Sequence, residues 1–164
     1  MPPVEDARPG ALRVAPLAPG DRAAWEPLAR GYKDFYATPT TADEYDAAWR
    51  RLMAGTQVHG LAAWHGERLV GIAHYLFHAS TWASSACYLQ DLFTAPDARG
   101  LGAGRALIEA VGREAQARGA SRCYWLTQAH NATARRLYDR LARHNGFIRY
   151  DYPLPPRENP PHPR

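Results

Sequence analysis

The chain has 164 residues, of which 46% are hydrophobic and 22% charged, and its formal net charge is +4. This length suits one domain, and the composition excludes a disordered chain, a fibrous protein and a disulfide scaffold. No apolar run approaches the roughly 20 residues that span a bilayer, and no signal-peptide pattern opens the sequence. With two cysteines, Cys87 and Cys123, we expect a soluble cytoplasmic protein without a membrane partner.

The positive charge comes largely from arginine residues spread along the chain. Two interpretations stay open, a solvated Arg-rich surface or attraction of a polyanionic ligand such as a nucleotide cofactor. Because the arginines form no single block, we predict no specific nucleic-acid partner. Residues 1–10 and 155–164 are rich in proline and charge, which predicts a flexible tail at each end of a domain over residues 11–154.

In the amino-terminal half we predict one strand, two helices and three strands. The first helix starts after the cap Gly20-Asp21, and Pro27 is expected to kink it or delay its start. The second has apolar residues at helical spacing, and Gly66 marks a hairpin turn. The strands are Ala11–Pro16, Val58–Trp64, Leu69–Phe77 and Ala86–Thr94, and the helices extend to about Tyr36 and over Ala42–Met53.

In the carboxyl-terminal half helices and strands alternate. The predicted helices are Gly102–Arg118 and Asn131–His144, and the predicted strands are Arg122–Thr127 and Phe147–Tyr152. Gly119 and Gly146 are expected to end the two helices. Consecutive strands precede the first helical crossover. The predicted class is therefore mixed α/β, with a largely antiparallel central sheet, a later parallel pair and about four flanking helices.

Three alternate glycines lie between a predicted strand and a predicted helix. Gly100, Gly102 and Gly104 let the backbone approach a ligand without hindrance from a Cβ, and the helix start presents unpaired N–H groups. Arg99 and Arg105 flank them and are placed to add charge-assisted hydrogen bonds. A pyrophosphate fits this environment, and a tight turn without a ligand is the alternative. The spacing matches neither a Walker loop nor the dinucleotide fingerprint.

A second set of polar residues lies on the last predicted helix. Asn131, Arg135 and Tyr138 are spaced i, i+4 and i+7, which places them on one helical face. An amide, a guanidinium and a phenol on one face suit a ligand with amide and phosphate groups. The alternatives are an N-cap role for Asn131 and a half-buried packing role for Tyr138.

These motifs together resemble the GNAT superfamily of N-acetyltransferases. The pattern Arg99-x-x-Gly102-x-Gly104, after Leu92-Phe93-Thr94-x-Pro96, resembles its acetyl-CoA signature. The segments Tyr124-Trp125-Leu126-Thr127, Asn131–Tyr138 and Gly146-Phe147 resemble its second cofactor strand and the helix that follows. Gly31-Tyr32, Phe35-Tyr36, Trp49 and Gly71–Tyr75 look like its histone- and polyamine-type subgroup. The resemblance covers about residues 11–154.

The resemblance implies an enzyme that transfers acetyl from acetyl-CoA to a primary amine by direct attack in a ternary complex. The amine would be a polyamine, a protein or peptide amine, or another small amine. Tyr138 falls at the position of the general acid that protonates the CoA thiolate. The resemblance and the aromatic edge strand Phe147–Tyr152 suggest a homodimer. The residues predicted to bind acetyl-CoA are Leu92, Phe93, Thr94, Arg99, Gly100, Leu101, Gly102, Ala103, Gly104, Arg105, Asn131 and Arg135.

The general base is the point at which this sequence departs from the polyamine-type pattern. Strand alternation places Gln90 and Leu92 on one face, and Asp91 and Phe93 on the other. The relatives carry Glu where this chain has Gln90, and an amide does not accept a proton. Asp91 is therefore the predicted catalytic carboxylate, and a structural role as a hydrogen-bond acceptor is the alternative. A water chain or Glu44 also stays open as the general base. A CoA-binding sensor without catalysis, or an ATP- or NAD-binding regulator, is the alternative function.

The remaining candidates favour structural roles. His74 and His78 lie roughly 13 Å apart along one predicted strand, too far for one metal ion, so we expect no metal site. We interpret them as core or surface histidines, and Cys87 and Cys123 as small core residues. An aromatic group at helical spacing is expected to pack the core or to wall an acceptor groove, where it favours an alkylammonium by cation–π contact. Its members are Tyr32, Phe35, Tyr36, Tyr45 and Trp49.

Overall fold

A computed structural model of the chain describes residues 10–155. The tails predicted for residues 1–10 and 155–164 lie outside this range, apart from Gly10 and Pro155. The chain divides into two units, the first ending at His130 and the second beginning at Asn131. None of the described helices is long and apolar enough to cross a membrane.

The first unit is a five-stranded sheet with three helices. The strands follow chain order across the sheet and are antiparallel from the first to the fourth, whereas the fourth and fifth are parallel. The predicted mixed α/β class is confirmed. The strands are β1 (Leu12–Pro16), β2 (Val58–His65), β3 (Arg68–His78), β4 (Ala86–Thr94) and β5 (Cys123–Tyr124), and the helices are α1 (Arg22–Phe35), α2 (Ala42–Ala54) and α3 (Ala103–Ala117).

Helices α1 and α3 cover opposite faces of this sheet. A Cβ on Gly31 of α1 would meet the Phe93 ring at 2.7 Å, so Phe93 points toward α1. A Cβ on Gly71 would instead meet Leu107 of α3 at 3.1 Å. Phe93 pairs with Ile72, the residue after Gly71, and successive strand residues point to opposite faces. The fully buried side chains between these layers include Trp25, Val70, Ile72, Leu89, Leu107 and Val111.

The expected effect of Pro27 on α1 is corrected by the structure. The helix begins at Arg22 and continues through Pro27, which is exposed. Proline removes one backbone hydrogen bond, but Trp25, Leu28 and Ala29 on the inner face are buried and hold the helix against the sheet. Packing of this apolar face therefore outweighs the local cost of proline.

The second unit contains helix α4 (Ala132–Leu141). It ends three residues before the predicted His144. The predicted strand Phe147–Tyr152 is wrong, because residues 142–155 form no helix or strand. Ile148, Tyr150 and Tyr152 alternate with polar residues as in a strand, but a strand also needs a backbone partner, and none pairs with it in the described part of the chain. The homodimer hypothesis therefore loses its edge strand and stays a prediction.

Candidate active site

A cavity of about 370 Å³ lies in the first unit, between α1, α2 and the central strands. Each helix contributes one face, as the spacing of its lining residues requires. The connection between the helices closes one side, and β3 and β4 supply the floor. The lining residues that carry the arguments below are Trp25, Ala29, Tyr32 and Lys33 of α1, Glu44, Tyr45, Ala47, Ala48 and Arg51 of α2, and His74, Gln90 and Asp91 of the sheet.

A β-bulge in β4 brings both Gln90 and Asp91 to this cavity. His74 pairs with Asp91, whereas the next residue, Tyr75, pairs with Leu89, so Gln90 is the extra residue in β4. A bulge interrupts the alternation of side chains along a strand. The prediction that Gln90 and Asp91 lie on opposite faces is therefore wrong, since both line one cavity. Sequence alternation alone gives no sign of the inserted residue.

Asp91 lies at the centre of a hydrogen-bond network at the cavity floor. Its Oδ2 lies 2.9 Å from Nδ1 of His74, and Nε1 of Trp25 donates to Nε2 of the same imidazole at 2.9 Å. An indole N–H only donates, so the ring proton of neutral His74 lies on Nδ1 and is donated to Asp91. The Tyr32 hydroxyl also interacts with this carboxylate and helps to lower its pKa.

This network keeps Asp91 ionised. Burial opposes the charge, but the hydrogen bonds from His74 and Tyr32, with the charge of Lys33, hold the pKa of Asp91 below its ordinary value. Burial and the neighbouring Asp91 carboxylate raise the pKa of Tyr32, which therefore stays a neutral donor. A carboxylate in this state binds and orients a positively charged or hydrogen-donating group more readily than it stores a proton.

The structure gives His74 a positioning role, which differs from the core or surface role that the sequence suggests. Both of its ring nitrogens are engaged, one with Trp25 and the other with Asp91. It therefore orients the carboxylate. A lone histidine in a strand gives no signal of such a role, which becomes visible only once the register places His74 opposite Asp91. His78 lies elsewhere, and its Nε2 is 2.8 Å from the Tyr124 hydroxyl.

Glu44, the other acidic side chain considered as a base, serves the start of α2. Its carboxylate accepts hydrogen bonds from the backbone N–H of Thr41 at 2.7 Å and from the Thr41 hydroxyl at 3.0 Å. These bonds form a capping box and lower the pKa of Glu44. Glu44 lines the cavity, but its carboxylate is engaged and only weakly basic.

The aromatic group predicted at helical spacing divides between two roles. Tyr32 and Tyr45 line the cavity, together with Trp25. Trp49 packs on Trp25 with ring centroids 5.1 Å apart, and 54% of Phe35 is exposed. The helical pattern does not separate the residues that meet the cavity from those behind or outside it.

The glycine loop bends at two of its three predicted glycines, whereas Gly104 lies in the first turn of α3. Gly100 and Gly102 have φ angles of +88° and +87°, and Gly102 is the N-cap of α3. No side chain caps this helix, so its first N–H groups keep their hydrogen-bonding capacity. A Cβ on Gly100 would meet nothing within 4 Å, and one on Gly102 would touch only Leu12, at 3.7 Å. This open, uncapped helix start fits a pyrophosphate.

The strand that leads into this loop has an open edge. Within residues 10–155, β5 pairs only with Cys87 and Tyr88 of β4. The segment Leu92–Thr94 therefore has no neighbouring strand on that side, where alternate backbone N–H and C=O groups point outward. These groups fit the amide groups of an extended ligand and can donate to a carbonyl oxygen. Of the flanking arginines, Arg99 is exposed and Nε of Arg105 donates to Glu109 at 2.8 Å.

In the second unit, α4 carries the three polar residues predicted to share one face. The Asn131 side chain accepts a hydrogen bond from the backbone N–H of Ala134 at 3.3 Å, which confirms its N-cap role. Arg135 and Tyr138 follow one and two turns later along the same helix.

The cysteines and potential metal ligands show no catalytic arrangement in the described residues. Cys87 is buried in β4, and its hydrogen bond with Cys123 together with burial raises the pKa of the Cys87 thiol. No three His, Cys, Asp or Glu side chains within residues 10–155 are grouped as ligands for a metal ion.

Comparison with known proteins places the chain in a family. The model of the acetyltransferase (GNAT) family matches residues 25–142, and the chain belongs to this family. It is 31% identical over 141 residues to a D-amino-acid N-acetyltransferase of Saccharomyces cerevisiae, covering 84% of this chain and 88% of the relative. It is 30% identical over 90 residues to a thialysine N-epsilon-acetyltransferase of Caenorhabditis elegans, covering 55% of this chain and 56% of that protein.

The fold is shared with a solved enzyme. The structure of an aminoglycoside N-acetyltransferase in complex with CoA matches with a TM-score of 0.73 at 17% identity, covering 92% of this chain and 97% of that one. Membership of the family, and not this shared fold, makes the protein an acetyltransferase of the GNAT type, with acetyl-CoA as co-substrate and an amine as acceptor.

Proposed function

We propose that this protein acetylates a primary amine by direct attack on acetyl-CoA in a ternary complex, and that it belongs to the histone- and polyamine-type subgroup. The acceptor is a polyamine, a peptide amine or another small amine. The observation that carries the proposal is Asp91, oriented by its hydrogen bond with His74 and with a lowered pKa, at the floor of a cavity beside the open edge of β4. The names of the two relatives support a small amine.

Acetyl-CoA, when bound, supplies an acyl group activated as a thioester. We assign its pyrophosphate to the uncapped start of α3, because Gly100 and Gly102 leave open space there. The remaining residues assigned to cofactor binding are Leu92, Phe93, Thr94, Arg99, Leu101, Ala103, Gly104, Arg105, Asn131 and Arg135. Backbone N–H groups of Leu92–Thr94 stabilise the negative charge that develops on the acetyl oxygen.

Asp91 is the catalytic carboxylate of this proposal. It accepts a hydrogen bond from the acceptor amine and holds its lone pair in the direction of attack, so that positioning supplies much of the acceleration. A nitrogen becomes much more acidic as it bonds to an acyl carbon. Even a carboxylate with a lowered pKa is then able to receive its proton. Gln90 lines the same cavity and adds hydrogen bonds without exchanging a proton.

Tyr138 is the proposed general acid, on the basis of its position in the Asn131–Tyr138 motif. A phenol that donates a proton to the departing thiolate lowers the barrier to cleavage of the C–S bond. The acyl group passes directly to the amine. Cys87 is an unsuitable nucleophile, because it is buried and the pKa of its thiol is raised.

An acceptor panel with free CoA as the readout tests this proposal. Polyamines, amino acids, aminoglycosides and peptides are each incubated with acetyl-CoA and the wild-type protein. We expect turnover with at least one amine, and a loss of about 10²-fold or more in Asp91→Asn. Asp43→Asn is the matched control, since Asp43 is an exposed acidic residue outside the cavity.

The alternative, a CoA-binding sensor without catalysis, is favoured by Gln90 in the place of a glutamate. It predicts binding of acetyl-CoA in calorimetry and no CoA release with any amine. That pair of results would refute the enzymatic role of the cavity.

A further inference from the structure

The cavity contains two cationic side chains with unused hydrogen-bonding capacity. Lys33 of α1 and Arg51 of α2 both line it. Within residues 10–155, neither side chain forms an ion pair or a hydrogen bond. The two carboxylates of the cavity are both engaged, Asp91 with His74 and Tyr32, and Glu44 with Thr41. Within the described residues, the N–H groups of both cations are therefore available to a ligand, whereas both carboxylates already accept hydrogen bonds.

The charges are ordered along the wall that α2 provides. Glu44 lies in its first turn and Arg51 in its last, seven residues apart on one helical face, or about 10 Å along the axis. Ala47 and Ala48 lie between them and leave space at the wall. Lys33 lies near Glu44 and Asp91, where its charge contributes to the lowered pKa of both. Arg51 thus lies at the end of this wall opposite Glu44.

This arrangement distinguishes between classes of amine. A polyamine or an aminoglycoside carries several positive charges and would place one of them near Arg51 or Lys33, at an electrostatic cost. A molecule with one ammonium and one carboxylate satisfies both ends of the cavity. Its nitrogen meets Asp91, and its carboxylate accepts from a guanidinium, whose planar fork matches carboxylate geometry.

We propose that the acceptor is a zwitterion of amino-acid type, whose carboxylate is bound by Arg51 with Lys33 while its amine lies at Asp91. This inference rests on the proposed acetyltransferase function and narrows its substrate class. Arg51 and Lys33 are then specificity-determining residues that bind a part of the acceptor remote from the reacting atoms.

Matched acceptors test the inference with the full-length protein and saturating acetyl-CoA. Each set consists of an amino acid, its amide and its decarboxylated amine, in both stereochemical forms where they exist, with CoA release as the readout. We expect wild-type kcat/KM to favour the amino acid by at least tenfold. In Arg51→Gln this preference should be lost because KM for the amino acid rises while kcat stays nearly unchanged. The lost contact stabilises the ground state and the transition state equally.

Two variants serve as controls. Arg51→Lys is expected to retain part of the preference, because the positive charge remains. Arg50→Gln removes an exposed arginine one position earlier on α2, outside the cavity, and is expected to match the wild type. A wild-type preference for polyamines or decarboxylated amines would overturn the inference, as would a preference that survives both Arg51→Gln and Lys33→Gln. Binding of acetyl-CoA without turnover of any amine would instead refute the proposed function itself.

Discussion

Gly102 provides the sharpest test of the assigned cofactor cradle. Its φ of +87° lies in the left-handed region, where a side chain other than glycine is strained by about 1–3 kcal/mol. For a domain of this size each kcal/mol lowers Tm by roughly 2–4 °C. Gly102→Val should therefore unfold several degrees below the wild type. The protein itself offers room for the new Cβ, since the nearest atom, on Leu12, lies 3.7 Å away.

The effect on acetyl-CoA binding should be separate from this cost in stability. The new side chain projects toward the open space at the uncapped start of α3, where the pyrophosphate is assigned. We expect Kd for acetyl-CoA to rise at least tenfold, or about 1.4 kcal/mol. Isothermal titration calorimetry measures this change at a temperature where circular dichroism shows the variant to be folded.

Gly119→Val is the matched control for backbone strain. Gly119 follows the other end of α3 with a φ of +67°, and a Cβ there would meet nothing within 4 Å. It should lose a similar amount of stability and keep wild-type affinity for acetyl-CoA. If folded Gly102→Val binds acetyl-CoA as tightly as the wild type, the loop is not the cofactor cradle. If both variants lose the same affinity for acetyl-CoA, strain in α3 is the cause of the loss, and this result would also refute the assignment.

Three further predictions concern catalysis and stability. Tyr138→Phe should lower kcat by about 10²-fold with little change in Kd for acetyl-CoA. If chemistry is rate-limiting and kcat of the variant stays within about twofold of the wild type, Tyr138 has no role in the mechanism. Because the folded-state pKa of Asp91 is lowered, its ionised form stabilises the fold above the ordinary carboxylate pKa, and this contribution is lost as pH falls through the lowered value. Chemical denaturation should therefore show that Asp91→Asn loses more unfolding free energy, relative to the wild type, at roughly pH 6 than at roughly pH 3. An equal loss at both pH values would contradict the lowered pKa of Asp91. Gly31→Ala forces a Cβ to within 2.7 Å of the Phe93 ring and should cost about 1–3 kcal/mol of unfolding free energy, whereas Gly20→Ala, with nothing within 4 Å, should cost far less.

Local signals in the sequence predict most of the fold. Apolar periodicity and turn residues give the first four strands and the first three helices within a few residues, because in each case packing reinforces the local pattern. They fail at Pro27, where the buried face of α1 outweighs a helix breaker. They fail again at Phe147–Tyr152, where an alternating pattern has no partner strand within the described residues.

The two parts of the candidate site differ in how far sequence reveals them. The glycine loop is local, since one stretch of chain supplies its glycines and the helix start, and its motif is visible in the sequence. The acceptor cavity is assembled from α1, α2 and two strands, so its members are far apart in the chain. His74 and Arg51 have no motif of their own. Their roles depend on register and on packing between elements, which periodicity does not encode.

The bulge at Gln90 explains how one strand serves both parts of this site. Before it, β4 pairs with β5, and after it the edge of Leu92–Thr94 is open and leads into the glycine loop. The inserted residue changes which side chains face the cavity, because a shift of one residue exchanges the two faces of a strand. Asp91 therefore meets the acceptor cavity only three residues, or about 10 Å, before β4 ends at Thr94. In the proposed ternary complex, the strand itself sets the separation between amine and thioester, and the proposed direct attack requires no covalent carrier.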